Sequence, residues 1–219
     1  MKLPNHKLII GPKQPAKGFL KTVSHKVDFV FENGERDSMV VDSIERKSMD
    51  VVVIVPYYYK SDYDMRVYLR SCIRPSLASR EYNNTGRWDK HKENPIIWEL
   101  PAGLIELEEI GINGVFSAAL RELEEETGFS TDERWRTDII GKPYFASIGC
   151  FAERLYTVMV DISGLNIKKP TEDGSALEKY AVVEEVSLND ALDMIERGKI
   201  VDSKTILALY RLKMEMEKE

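Results

Sequence analysis

The part of the chain best suited to chemistry is a crowded acidic segment. Residues 121–129 read Arg-Glu-Leu-Glu-Glu-Glu-Thr-Gly-Phe and place four carboxylates within five positions. In a helix, like charges three and four residues apart repel each other and destabilise the helix. A divalent cation would convert these groups into ligands, because Mg²⁺ and Mn²⁺ prefer hard oxygen donors. The segment therefore indicates metal-dependent chemistry on a negatively charged substrate such as a phosphate.

Helical spacing divides this segment into an apolar stripe and an acidic face. The stripe, which we expect to face the core, consists of residues four positions apart: Val115, Ala119 and Leu123. The acidic face consists of residues at positions i, i+3 and i+4: Glu122, Glu125 and Glu126. Arg121 precedes Glu125 by four residues, so it can pair with that carboxylate and orient it. A merely solvated acidic face is the alternative, and spacing alone leaves the two interpretations equally open.

Composition narrows the class of partner. The formal net charge of −6 argues against a nucleic acid polymer, because phosphate backbones require basic patches. The longest apolar run, residues 51–56, is far too short to span a bilayer. Two cysteines in 219 residues, Cys72 and Cys150, indicate a reducing compartment. We therefore expect a soluble, cytoplasmic protein with no membrane partner.

The first part of the chain predicts a β-hairpin. Residues 19–31 alternate in places between apolar and polar side chains, and Asn33-Gly34 is a strong signal for a tight turn. The chain would then divide into two parts: a β-rich extension at residues 1–48 and the main domain at residues 49–219.

The main domain mixes strands and helices. Strands are predicted at 51–55, 66–73, 96–100, 138–146, 155–162 and 180–186, and residues 79–95 read as a loop. Helices are predicted at 114–127, from Ser187 to a stop at Gly198, and from about Lys204 onward. Because these elements show no regular βαβ repeat, we expect an α+β fold built as an α/β/α sandwich.

The acidic segment resembles the second half of the Nudix box, Arg-Glu-apolar-x-Glu-Glu-x-Gly-apolar, at every fixed position. Part of the first half is also present, because five residues separate Gly103 from Glu109. The lead-in at 99–106, Glu-Leu-Pro-Ala-Gly-Leu-Ile-Glu, resembles the ADP-ribose pyrophosphatase branch of that family. Residues 147–153, Ser-Ile-Gly-Cys-Phe-Ala-Glu, resemble the Ser-Pro-Gly-x-x-x-Glu segment of the same branch. The resemblance covers residues 50–212 and implies a Nudix fold with a mixed central sheet.

The chain departs from the family pattern at two places. Eleven residues separate Glu109 from Arg121, where the family has seven, and Asn113 stands eight before Arg121. Glu109 therefore either reaches the site from a longer loop or has lost its role. Ile148 replaces the usual proline, which weakens the substrate assignment more than the chemistry.

The resemblance implies a hydrolase that cleaves a nucleoside diphosphate linked to another group, with ADP-ribose giving AMP and ribose 5-phosphate. Mg²⁺ or Mn²⁺, with more than one ion per site, would be held by Glu122, Glu126 and the carbonyl of Ala102, and by Glu109 if it reaches the site. Glu125 would lie close by, with Arg121 as its orienting partner.

The resemblance leaves the general base open between Glu153 and Glu178, with Glu172 and Asp173 as competitors near the second. It also assigns residues 1–48 to an extension that forms a homodimer. Arg70 and Arg74 lie near a strand that supplies phosphate-binding cations in the family, but surface arginines are the simpler interpretation. Trp98 is expected in the core or an interface rather than stacked on a base.

Two other functions compete with this one. A hydrolase of another nucleotide sugar, such as UDP-glucose or GDP-mannose, is compatible with the same box, because the box determines the chemistry and not the leaving group. A non-catalytic Nudix-fold ligand-binding module is the second alternative, favoured only by the four-residue insertion.

The repulsion within the acidic segment also suggests how a substitution would behave. If Glu126 is a metal ligand in a crowd of like charges, Glu126→Gln should abolish metal-dependent turnover. The protein should then melt at a similar or higher temperature, because one repelling charge is removed.

Overall fold

The computed structural model describes the chain at residues 1–4, 18–79, 94–131, 136–170, 177 and 180–218. Glu178, Glu172 and Asp173 lie outside the described residues, as does most of the loop predicted at 79–95. Within the described ranges, no helix is long and apolar enough to cross a membrane.

The described residues form ten strands and four helices. The strands are β1 Lys21–Val30, β2 Arg36–Glu45, β3 Val51–Ser61, β4 Asp64–Ile73, β5 Ile96–Glu99, β6 Ala102–Leu104, β7 Thr137–Ile139, β8 Tyr144–Ser147, β9 Phe151–Asp161 and β10 Val183–Ser187. The helices are α1 Pro75–Ala78, α2 Gly111–Thr127, α3 Leu188–Glu196 and α4 Ser203–Met216.

A mixed sheet runs through the molecule in the order β1-β2-β9-β3-β4-β10. Its centre is β3, which pairs in parallel with β9 and antiparallel with β4. The short strand β6 pairs antiparallel with β3, β5 with β4, and both β7 and β8 with β9. The predicted mixed central sheet is therefore confirmed.

Helices cover both faces of the sheet. Residues of β3 alternate between two apolar clusters, because successive side chains of a strand point to opposite faces. Val52 and Ile54 pack with the α2 side, whereas Val51, Val53 and Val55 pack with residues of α3 and α4. Residues 51–55 are therefore buried on both faces of the sheet, and the predicted α/β/α sandwich is confirmed.

The acidic helix α2 docks through the predicted apolar stripe. Val115, Ala119 and Leu123 are buried against the sheet. The helix starts at Gly111, three residues before the predicted start. It ends at Gly128, which has a φ of 79° and whose N–H donates to the Glu124 carbonyl at 3.0 Å. A Cβ at Gly128 would lie 1.9 Å from the Lys168 carbonyl oxygen, so glycine is required there.

The two C-terminal helices begin at side-chain caps. Ser187 Oγ accepts from the Asp190 N–H at 3.0 Å, as the sequence predicted for α3. Asp202 accepts from the Thr205 N–H at 3.0 Å at the start of α4. Thr205 Oγ1 in turn accepts from the Leu100 N–H at 2.9 Å. This bond ties the start of α4 to the segment that leads into β6.

The N-terminal hairpin is present, and it attaches to the rest of the sheet at its base. β1 and β2 pair over ten residue pairs. Phe31 donates its N–H to the Glu35 carbonyl at 2.9 Å and closes a three-residue loop. At the base, Ile44 pairs in parallel with Phe151 and donates to the Cys150 carbonyl at 2.8 Å.

Several predicted strands have different limits in the structure; β3, for example, continues to Ser61, and β9 begins at Phe151, four residues before its predicted start. The strand predicted at 138–146 is two strands, β7 and β8. Gly141, with a φ of 72°, and Pro143, which lacks a backbone N–H, interrupt the ladder between them. The strand predicted at 180–186 begins at Val183.

Candidate active site

The candidate site is organised by the backbone of β6. The Ile54 N–H donates to the Pro101 carbonyl at 2.8 Å, and the Ile105 N–H donates to the Asp50 carbonyl at 3.0 Å. In an antiparallel ladder the intervening non-bonded residues direct their N–H and C=O groups away from the partner strand. Ala102 and Leu104 are such residues, so their backbone groups face away from β3.

Helix α2 supplies partners for two of these four backbone groups. The Ala102 N–H donates to Glu126 Oε2 at 3.0 Å. The Leu104 carbonyl accepts from Arg121 Nη2 at 2.9 Å. Two residues of the acidic segment are therefore attached to one short strand.

Gly103 lies between these two attachment points and allows close approach of the helix. A Cβ on Gly103 would lie 1.9 Å from Glu122 Cδ and 2.0 Å from its Oε1. The Glu122 carboxylate therefore lies directly on the backbone of β6, in space that any larger residue at 103 would occupy. This contact gives a physical reason for glycine in the lead-in to the acidic helix.

Arg121 connects three carboxylates. Its Nη1 lies 2.6 Å from Glu122 Oε1 and 3.5 Å from Glu125 Oε2. The predicted Arg121–Glu125 pair is thus confirmed, although it is the longer contact. Burial of Arg121 disfavours its charge, but its ion pairs with Glu109 and Glu122 outweigh this and raise the pKa of the guanidinium above its ordinary value.

Glu109 reaches this cluster in spite of the insertion. Its carboxylate accepts from Arg121 Nε and Nη2, both at 3.1 Å, and from the Glu106 N–H at 2.8 Å. The extra residues after Glu109 form the start of α2 and the turn before it. The four extra residues between Glu109 and Arg121 are accommodated there, and the Glu109 side chain still reaches Arg121.

Glu126 forms a buried ion pair that the sequence did not predict. Arg70 Nη1 on β4 donates to Glu126 Oε1 at 2.6 Å. Arg70 is 3% exposed and Glu126 is 9% exposed. The interpretation of Arg70 as a surface residue was therefore wrong. Arg74, by contrast, is exposed as expected, although it also pairs with Glu99.

A cavity of about 580 Å³ adjoins β6 and is lined by Ala102 and Gly103. Its charged lining consists of Arg46, Arg74, Lys204, Glu99, Glu153 and Asp202. Glu153, on β9, lines this cavity and forms an ion pair with Arg46. Arg46 also donates to the Ser48 carbonyl at 2.6 Å, and its guanidinium lies 5.1 Å from the centre of the Phe151 ring.

Glu99 forms the centre of a second buried charge cluster at this cavity. It is 1% exposed, accepts from Arg74 Nε at 2.7 Å, and lies 2.5 Å from Lys204 Nζ. Lys204 Nζ also lies 2.9 Å from Asp202. Burial opposes the charge of Glu99, but the bonds from Arg74 and Lys204 outweigh it and lower the pKa of this carboxyl.

Sequence reasoning missed Arg46, Glu99 and Lys204 as members of the site. Glu99 stands first in the lead-in motif, so its position was a usable signal. Arg46 and Lys204 stand in unremarkable charged stretches, far from the motif along the chain, and had no such signal. Trp98 is 2% exposed and lies in the core, as expected.

Comparison with known proteins identifies the family of this sequence. The sequence profile described as NUDIX domain matches residues 77–207, which is more than half of the chain. This chain belongs to the Nudix family. The matched region includes β6, α2 and the whole acidic segment.

Two relatives are similar to part of this chain. A methanol dehydrogenase activator from Bacillus methanolicus is 32% identical over 130 residues, which are 59% of this chain and 63% of that protein. An ADP-ribose pyrophosphatase from Bacillus subtilis (strain 168) is 31% identical over 121 residues, which are 54% of this chain and 58% of that protein. The aligned segments thus span about three fifths of each relative.

A solved structure supports the Nudix fold over a longer span. The crystal structure of an ADP compounds hydrolase superimposes with a TM-score of 0.63 and covers 91% of this chain and 92% of its own. The two sequences are 19% identical, so this likeness concerns the fold alone.

The donor chemistry at β6 suits a hard divalent cation. Glu122 and Glu126 supply carboxylate oxygens, and the Ala102 carbonyl lies on the same unpaired side of the strand. Among the described residues, however, no three His, Cys, Asp or Glu side chains form a ready metal site as they stand. The physical reason is that arginines already pair with these carboxylates: Arg121 with Glu122 and Arg70 with Glu126.

The Arg70–Glu126 pair reverses the expected effect of Glu126→Gln on stability. Glutamine would leave a buried guanidinium without its carboxylate, and breaking a buried ion pair costs up to about 3–5 kcal/mol. The variant should therefore melt below the wild type, as measured by calorimetry without metal. Glu124→Gln, in the same turn and partly exposed, should melt close to the wild type. Equal melting of Glu126→Gln and wild type would contradict the ion pair.

The lowered pKa of Glu99 predicts a defined loss of stability in acid. Because its folded pKa lies below the ordinary value of 4.5, Glu99 stabilises the protein above that pH. This contribution is lost as the pH falls through the folded pKa. Urea unfolding across this range should show a shallower decline for Glu99→Gln than for wild type. Glu217→Gln, at the exposed end of α4, should retain the wild-type slope; identical slopes for all three proteins would refute the assignment.

Proposed function

We propose that this Nudix protein is a divalent-metal-dependent pyrophosphohydrolase that cleaves ADP-ribose to AMP and ribose 5-phosphate. The observation that carries the proposal is the attachment of Glu122 and Glu126 to β6, whose residues Ala102 and Gly103 also line the charged cavity. The pyrophosphatase activity named for the relative from Bacillus subtilis adds support.

The residues at β6 would hold the metal, Mg²⁺ or Mn²⁺, with more than one ion per site. Glu122, Glu126 and the Ala102 carbonyl are the proposed ligands. Glu109 and Glu125 both form ion pairs with the Arg121 guanidinium and complete the acidic cluster. When bound, the metal would neutralise the diphosphate and lower the pKa of a water for attack on phosphorus.

The chain itself supplies orientation and charge for this reaction. Arg121 orients the carboxylates of Glu109 and Glu122 by its ion pairs. Arg46, Arg74 and Lys204 line the cavity, each paired with a carboxylate, and would be the cations available to phosphate oxygens. A volume of about 580 Å³ falls within the usual range for small-molecule sites.

In the proposed step, a water oxygen bonds to one phosphorus, and the bond from that same phosphorus to the bridging oxygen breaks. The departing phosphate keeps the electron pair, and a carboxylate takes the proton from the water. Glu153 is our candidate for that carboxylate within the described residues because it lines the cavity. Glu178 remains the alternative.

An assay of product release tests the proposed function. Wild-type protein with Mg²⁺ or Mn²⁺ should release AMP and ribose 5-phosphate from ADP-ribose, as measured by chromatography. Glu122→Gln should lose at least about 100-fold in kcat, since one positioned electrostatic group is commonly worth 10²–10³. The control Glu108→Gln, exposed and next to Glu109 along the chain, should keep full activity.

The same assay separates the alternatives. Turnover of UDP-glucose or GDP-mannose with ADP-ribose inert would identify another nucleotide-sugar hydrolase. Silence on every substrate with both metals, together with a ligand-induced rise in melting temperature, would identify a binding module instead. Either outcome would overturn hydrolysis of ADP-ribose.

We further propose that the β1–β2 hairpin forms a homodimer and that the protein works in the cytoplasm. One face of the hairpin carries an apolar row: Val23, Val27, Phe29, Phe31, Met39 and Val41. Phe31 is 50% exposed and Met39 is 54% exposed, and a two-stranded ribbon alone is marginally stable in water. A second copy would cover this face with the same residues. Two free thiols, at Cys72 and Cys150, suit a reducing compartment.

Light scattering after size exclusion tests the dimer. The wild type should have twice the 25.1 kDa mass of the chain, and Phe31→Asp should have the mass of one chain because it places a charge in the apolar row. Val40→Asp, on the opposite face of the same ribbon and 65% exposed, should remain a dimer. A monomeric wild type would exclude this proposal.

A further inference from the structure

We propose that Arg70 is a positioning residue that holds Glu126 in place and weakens its affinity for divalent metal. This inference rests on the proposed function, in which Glu126 is a metal ligand. It concerns a residue of β4, outside the acidic segment, whose side chain is almost completely buried.

The geometry holds the Glu126 carboxylate from two sides. Arg70 Nη1 donates to Oε1 at 2.6 Å, and the Ala102 N–H donates to Oε2 at 3.0 Å. One donor belongs to β4 and the other to β6, and both strands belong to the sheet on which α2 packs. The rotamer of Glu126 is therefore held by a buried side-chain donor from β4 and a backbone donor from β6, and not by the helix alone. Because a carboxylate has about four lone-pair positions, each oxygen can still accept a further partner.

The charge of Arg70 opposes an incoming cation. The acidic cluster contains four carboxylates. Three belong to α2, those of Glu122, Glu125 and Glu126, and one belongs to Glu109, just before the helix. Two guanidinium groups, those of Arg70 and Arg121, reduce the charge of the cluster to about two negative units. A divalent ion at Glu126 would lie close to the Arg70 cation in a site with little water, where like charges repel strongly. Arg70 thus improves the placement of the ligand at the expense of metal affinity.

These two effects make a prediction that a purely structural role does not. Removal of the Arg70 charge should tighten metal binding and slow turnover at the same time. A structural residue would instead weaken both, because a loosened site binds and reacts less well.

The experiment measures Mn²⁺ binding to substrate-free protein by electron paramagnetic resonance at mildly alkaline pH. Arg70→Met should bind Mn²⁺ roughly tenfold more tightly than wild type, because a nearby positive charge is removed. Its melting temperature in EDTA should fall, because Glu126 loses a buried partner. Its rise in melting temperature at saturating Mn²⁺ should exceed that of wild type. Arg70→Lys, which keeps the charge, should restore the wild-type Mn²⁺ affinity.

Arg66 provides a matched control on the same strand. It lies four residues before Arg70 and pairs with Asp64 at 2.8 Å and Glu185 at 3.5 Å, neither of which belongs to the acidic cluster. Arg66→Met should therefore keep the wild-type Mn²⁺ affinity and the wild-type kcat. If Arg70→Met does not fold, Arg70→Gln removes the same charge while its amide can still donate to Glu126.

The outcomes separate this inference from the proposed function. Unchanged or weaker Mn²⁺ binding in the folded charge-removing variant would overturn the role of Arg70, as would a wild type that binds no Mn²⁺. Wild-type Mn²⁺ binding without turnover of any nucleotide substrate would refute the hydrolase. In that case the Mn²⁺ affinities would still decide the role of Arg70.

Discussion

The structure of the site depends on one constraint, the alternation of backbone groups along β6. Ala102 and Leu104 cannot bond to β3, so their N–H and C=O groups require partners elsewhere. Helix α2 provides partners for two of these four groups, Glu126 for the Ala102 N–H and Arg121 for the Leu104 carbonyl. The close contact at Gly103 follows, because the helix must approach the strand to within a side chain's thickness. Secondary structure thus determines where the carboxylates lie.

This attachment explains how a helix with so many acidic residues is stable. Repulsion along α2 is compensated by cations that come from different parts of the chain, Arg121 from the helix itself and Arg70 from β4. Glu99 is compensated in the same way by Arg74 and Lys204. Each buried acid therefore has at least one buried or half-buried cation beside it, as expected where charges leave water.

Sequence patterns predicted most of the secondary structure, because apolar periodicity and helix capping depend on residues close together along the chain. The stripe of Val115, Ala119 and Leu123 and the cap at Ser187 depend on neighbours within one helical turn, and both are present. The Arg70–Glu126 pair joins residues 56 positions apart, and no periodicity in the sequence encodes such a meeting. The break between β7 and β8 was not predicted, because Gly141 and Pro143 lie among apolar residues that by themselves favour one continuous strand. Whether Glu109 reaches the site could not be predicted for a similar reason, since the path of the four inserted residues depends on the fold.

The narrow base of the β1–β2 ribbon has a mechanical consequence. Ten residues per strand make a lever about 33 Å long at 3.3 Å per residue. A swing of about 5 Å at its tip therefore needs a rotation of only about 9° at the base. Arg46, just after the base, is clamped by Glu153, the Ser48 carbonyl and the Phe151 ring. The tip of the ribbon can thus adjust to a neighbouring molecule while the wall of the cavity stays almost still.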